Sequence, residues 1–109
     1  MKNSLLLFSF LFIGASLFAQ NAKYNAAMTN AITRLDSAQT SAQYLESAND
    51  FARIASAEPK EWLPNYYAAL SHLSAAFILL KENPAKALET VDVAQANLDK
   101  AKAMVPGES

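Results

Sequence analysis

Beyond residue 20, the apolar residues of this chain recur at intervals of three and four, and they nowhere alternate over the length of a strand. Such spacing places them on one side of an α-helix, so it predicts an all-α fold. The prolines at positions 59, 64, 84 and 106 mark helix boundaries, because proline cannot continue a helical hydrogen-bond ladder. We therefore expect four helices joined by short loops, with consecutive helices antiparallel.

The first two helices are predicted on either side of Thr40. The first covers about 25–38, and the second opens at Thr40, since Thr40 and Gln43 have the spacing of a capping box. The second ends before Pro59, because the residue before a proline disfavours helix. The expected inward residues are Met28, Ala31, Ile32 and Leu35 in the first helix, and Leu45, Ala48, Phe51, Ala52 and Ala55 in the second.

The third helix is predicted to begin near Pro64, with Trp62 and Leu63 just outside it. Its apolar residues wrap more than one side, which is typical of the most buried helix of a set. Asn83 and Pro84 form a cap and a first turn for the fourth helix. The expected inward residues are Tyr66, Tyr67, Ala69, Leu70, Leu73, Ala76, Phe77 and Leu80 in the third helix, and Leu88, Val91, Ala94, Leu98 and Ala101 in the fourth.

The first nineteen residues have a different character from the rest. A basic start at Lys2 leads into a nearly continuous apolar run over 4–13, followed by small residues at 14–16. These features are typical of a secretory signal peptide, and we expect cleavage after Ala19. The run falls short of the roughly 20 apolar residues that a spanning helix needs. We therefore expect a helical domain over 20–109 that is exported, either periplasmic or secreted, and that meets a membrane only through an uncleaved leader.

The second and fourth helices end on the same pattern of a small residue, a large apolar one, a smaller one and a proline. The pattern occurs at Ser47, Phe51, Ile54 and Pro59, and again at Ala94, Leu98, Ala101 and Pro106. It resembles the second helix of a tetratricopeptide repeat, which finishes in this way. The resemblance implies antiparallel helical hairpins stacked as a short superhelix, whose surface binds a protein or peptide. A plain four-helix bundle predicts the same helices in another arrangement.

Stacked hairpins bury their sides against neighbours, and about three repeats are normally needed for stability. The sequence ends with a turn at Pro106 and Gly107, where another hairpin would begin. We therefore expect either a truncated reading frame or a chain that completes itself as a homodimer, and a mature protein that is weakly stable alone.

The inventory of reactive residues is small: no cysteine and a single histidine, His72. A zinc site needs three or four ligands and a catalytic dyad needs a partner, so we expect a structural role for His72. We interpret the carboxylates as solvated ionic surface, and we expect no catalytic residue, no metal and no cofactor. The carboxylate pairs that a glycosidase or metal site would use are Glu46/Asp50, Glu58/Glu61 and Glu89/Asp92.

The aromatic group Trp62, Tyr66 and Tyr67 is the candidate partner-binding site. On a concave repeat surface, aromatic residues with one edge in water suit contact with a partner. The competing interpretation is a staple that packs at the turn before the third helix. Basic residues are scattered, which argues against nucleic acid.

These observations predict an exported, non-enzymatic scaffold that binds a protein or peptide. The alternative is a small periplasmic helical bundle that binds a metal or small ligand through His72 and nearby carboxylates.

Overall fold

The computed structural model describes residues 21–105, and over that range it shows four helices packed against one another and no strand. The first helix, α1, occupies residues 21–37 of the described chain. The others are α2 (Ser41–Ala57), α3 (Leu63–Glu82) and α4 (Pro84–Met104). The predicted all-α fold is confirmed. The predicted signal peptide at 1–19 and the helix-ending Pro106 lie outside the described residues.

The predicted caps of α2 and α4 are both present. The Gln43 backbone N–H donates to the Thr40 hydroxyl oxygen at 3.1 Å, and the Thr40 N–H donates back to the Gln43 side-chain carbonyl at 3.3 Å. The Lys86 N–H donates to the Asn83 side-chain oxygen at 3.3 Å. These contacts satisfy amides that have no partner within the helix, so they fix where α2 and α4 begin.

α3 starts one residue earlier than predicted, since Leu63 belongs to the helix and Trp62 is its N-cap. Trp62 has helical backbone angles and makes no side-chain capping hydrogen bond. Pro64 lies in the first turn, where a backbone N–H has no partner within the helix, so the lack of an N–H costs no hydrogen bond. The start of α3 therefore depends on proline and on packing.

α3 is the central helix, because it packs along both α2 and α4 and also meets α1. One core cluster joins α1, α2 and α3, and it consists of Met28, Ala31, Leu35, Phe51 and Ala68. A second joins α3 to α4 through Ala75, Leu79 and Ala87, with Tyr44 and Leu45 of α2 packed against it.

Small residues dominate the helix contacts. Ser71 and Thr90 are buried, and their hydroxyls donate to the backbone oxygens of Tyr67 and Lys86 at 2.8 and 2.7 Å. Small side chains let helix backbones approach closely, so the interior is narrow. The alanines that keep 3% or less of their surface exposed are Ala31, Ala48, Ala68, Ala69, Ala75, Ala76, Ala87, Ala94 and Ala101.

Several predicted inward residues are in fact outside. The exposed ones are Ala52 of α2, Leu88 and Val91 of α4, and Tyr66, Leu70, Leu73, Phe77 and Leu80 of α3. The prediction was wrong for them because the neighbouring helices dock on the alanine sides of α3 and α4. It was right for Met28, Ala31, Leu35, Ala48, Phe51, Ala69, Ala76, Ala94 and Ala101, which are buried.

Phe51 is the large side chain on which the first core cluster depends, and none of its surface is exposed. We expect Phe51→Ala to lower the free energy of unfolding by about 3–5 kcal/mol, because it leaves a cavity between three helices. Phe51→Leu is the matched control and should cost less than Phe51→Ala, because it leaves a smaller cavity. Urea unfolding followed by circular dichroism measures both, and equal losses would contradict this account of the core.

Candidate functional site

The three aromatic residues singled out in the sequence form one contiguous group at the start of α3. The rings of Trp62 and Tyr66 meet edge to face with centroids 6.1 Å apart, and those of Tyr66 and Tyr67 do so at 5.8 Å. Tyr67 in turn stacks on Phe51 at 5.1 Å with an interplanar angle of 20°. The group therefore connects the protein surface to the core.

The members of this group differ in their exposure. Tyr67 is half-buried and packs against the first core cluster. Trp62 and Tyr66 keep 37% and 43% of their surface in water. Tyr67 is placed to hold the α3 start against the core, while Trp62 and Tyr66 are open to a partner.

Trp62 and Tyr66 continue into a long apolar surface that runs the length of α3. We call this surface the α3 face. Phe77 is its most prominent member, with 78% of its surface exposed. The α3 face consists of Trp62, Tyr66, Leu70, Leu73, Phe77 and Leu80, all of them exposed.

Along the α3 face the spacing alternates between four and three residues from Tyr66 to Leu80. This alternation is the heptad pattern by which one helix packs into another as a coiled coil. The sequence contains this signal, but on the sequence alone Leu70, Leu73, Phe77 and Leu80 are predicted as inward residues, and an exposed binding role is proposed only for Trp62, Tyr66 and Tyr67. What distinguishes them is that alanines occupy the other sides of the same helix.

The α3 face carries no formal charge. Between Glu61 and Lys81 the sequence has no aspartate, glutamate, lysine or arginine. Depletion of charge together with enrichment in aromatic residues is typical of the core of a protein interface.

A neighbouring helix extends this surface. On one side, Tyr44 of α2 and residues Leu73, Ser74, Phe77 and Ile78 of α3 line a shallow groove. The apolar surface therefore involves α2 as well as α3. Leu88 and Val91 in the first turns of α4 are also exposed.

The carboxylate pair Glu46/Asp50 differs from the solvated ionic surface that was predicted. Asp50 is buried, and the Arg34 guanidinium of α1 donates to its Oδ2 at 3.0 Å while Arg53 of α2 donates to its Oδ1. Both carboxylate oxygens are thus occupied. Asp50 and Arg34 line a polar cleft between α1 and α2, and their ion pair connects the two helices. Because both oxygens of Asp50 accept hydrogen bonds from arginine, Asp50 has no free carboxylate oxygen for acid or base catalysis.

The other two carboxylate pairs are found at the turn before α3 and on α4. Burial raises the pKa of the Tyr24 hydroxyl, and the nearby charges of Glu61 and Glu58 raise it further. The Glu58/Glu61 pair therefore lies beside α1. Glu89 and Asp92 are exposed on α4. Among residues 21–105, no group of three or more histidine, aspartate and glutamate side chains is placed to hold a metal ion.

His72 is half-buried on α3, and its Nδ1 atom is buried without a hydrogen-bond partner in the described part of the chain. Burial lowers the pKa of this imidazole, because a low-dielectric environment disfavours the charged form. The arrangement holds a neutral imidazole in the fold.

Comparison with protein-family models, with curated proteins and with solved structures finds no match to this chain. In the described range, no helix is both long and apolar enough to cross a membrane. The site must therefore be interpreted from its own geometry.

The lowered pKa of His72 predicts a pH dependence of stability. The unfolded chain binds a proton near the usual histidine pKa of about 6.5, whereas the folded chain binds it only at lower pH. The contribution of the neutral His72 to the free energy of unfolding is therefore fully present above about pH 6.5. It is lost as the pH falls through that value toward the pKa of the folded state.

When the pH is lowered from about 7.5 to about 5.5, we expect the urea midpoint of unfolding to decrease in the native protein. The decrease should be smaller in His72→Gln. A midpoint that shifts equally in both proteins would show that another group is responsible.

Proposed function

We propose that this chain is an exported, non-enzymatic scaffold of stacked, tetratricopeptide-like hairpins that binds another polypeptide through the α3 face. One observation carries the proposal: alanines make up most of the buried residues, while the six large side chains of the α3 face are exposed to water. An apolar surface in water is unfavourable, and covering it releases free energy roughly in proportion to its area.

The size of the α3 face supports binding. From the exposed fractions of its six side chains, it leaves roughly 700 Å² of surface in water, where the largest patch on a typical monomer is about 300–600 Å². Patches of this kind mark interaction sites. The length of the patch along one helix and its heptad spacing favour a helical partner over a small molecule.

The repeat-like arrangement is supported by equivalent burial in α2 and α4. Ser47 and Ala94 are both buried as the small residue of the shared pattern, and Phe51 and Leu98 follow four residues later as the larger one, fully and partly buried. Export is supported by the leader pattern at 1–19. A binding role without chemistry is supported by Asp50, whose oxygens are both engaged, and by the isolation of His72.

Site-specific photo-crosslinking tests the function. A benzoylphenylalanine in place of Leu73, on the α3 face, should give adducts with a polypeptide when cells that express the full chain are irradiated. The same group in place of Ala96 is the control and should give few or none. Ala96 is exposed and lies about two and a half turns beyond the buried Ala87, hence on the opposite side of α4.

Equal yields at both positions, or no polypeptide adduct at position 73, would contradict binding through the α3 face. Stoichiometric zinc or copper in the purified protein would instead favour the metal-binding bundle.

A further inference from the structure

We infer that the polypeptide covering the α3 face is a second copy of this chain, with the two α3 helices antiparallel about a two-fold axis at the level of residues 71 and 72. The inference rests on the proposed function and names the partner of the same surface. It follows from the spacing, the area and the charge of the α3 face.

The spacing of the α3 face is self-complementary. When one copy is turned end for end about that axis, Leu70 lies opposite Leu73 of the second copy, and Tyr66 lies opposite Phe77 of the second copy. At each end, Trp62 lies within one residue of the level of Leu80 of the second copy, which is close enough for the two large side chains to meet. Every member of the face has a partner, as a two-fold interface requires, because the same patch must fit itself.

The area is sufficient for a stable dimer. The six residues of each copy expose roughly 700 Å², which is the most that they can bury and is close to the ~800 Å² per partner of a standard protein interface. The area from both copies together lies within the range of specific protein complexes and above that of weak, transient ones.

Charge favours a second copy over an unrelated partner. With no charged residue from 62 to 80, the α3 face offers nothing to select a charged partner and nothing that repels itself. Interfaces between identical subunits are the more apolar class, and antiparallel helices align their dipoles favourably.

Complementary charges at the Leu70 and Leu73 contact test the pairing. At about 20 μM, the protein purified from cells that express the full chain should sediment as a dimer. Leu70→Glu alone and Leu73→Lys alone should each raise the dimer dissociation constant at least tenfold, because each places two unpaired charges in the interface.

An equimolar mixture of the two variants should regain a heterodimer, visible by native mass spectrometry. In the mixture, one Leu70–Leu73 contact is kept and the other becomes a glutamate–lysine pair. A variant that merely misfolded would not be rescued by mixing.

Because the chain has no cysteine, an introduced cysteine is its only thiol, and single cysteine substitutions allow a second measurement that disturbs folding little. Mixing Leu70→Cys with Leu73→Cys should give a disulfide-linked heterodimer, at least tenfold faster than mixing Leu70→Cys with Ala96→Cys. Equal rates would overturn the proposed pairing.

Other outcomes separate this inference from the proposed function. A native protein that stays monomeric at about 100 μM, yet crosslinks through position 73 to a different protein, would overturn the second copy and leave the scaffold role intact. A monomer with no polypeptide adduct, which instead floats with phospholipid vesicles, would overturn both.

Discussion

The close approach of the helices through small residues is the constraint on which the rest of the structure depends. Ala75 of α3 and Ala87 of α4 are almost completely buried in one cluster, and Ala68 of α3 is buried with α1 and α2 in the other. Contacts lined by alanine leave little room between helices for large side chains, since protein interiors are close-packed. Leu79 of α3 is buried, but Tyr66, Leu70, Leu73, Phe77 and Leu80 lie on the side that no other described helix covers.

Two contacts among larger side chains fix how neighbouring helices meet. Phe51 stacks on Tyr67 and so joins α2 to α3, while Arg34 binds the buried carboxylate of Asp50 and so joins α1 to α2. Arg53, also in α2, binds the other oxygen of the same carboxylate. A buried carboxylate is tolerated only when it is paired, so the ion pairs select the relative position of the helices more than they add stability. The fold is thus an alanine framework held in register by a few specific contacts.

The same framework sets which side chains of α3 reach the surface. Apart from the aromatic hydroxyls and His72, the side chains along α3 offer no titratable group between Glu61 and Lys81. Burial lowers the pKa of His72, and the buried carboxylate that lines the polar cleft between α1 and α2 accepts hydrogen bonds from arginine. What the helices leave open is an extended apolar surface, and such a surface gains free energy by excluding water against another polypeptide.

The sequence alone determined the four helices and the starts of α2 and α4, because caps such as Thr40 with Gln43 act within a few residues of the chain. The described α1 covers residues 21–37 where about 25–38 was predicted, and α3 begins at Leu63, one residue before the predicted start. The sequence also identified the aromatic group at the start of α3. It did not determine which side of α3 faces inward. The side that carries leucine and phenylalanine could be buried, and so could the sides that carry alanine. Only the tertiary structure decided that point, because the choice depends on how closely the neighbouring helices pack, and alanine permits the shortest distance between them.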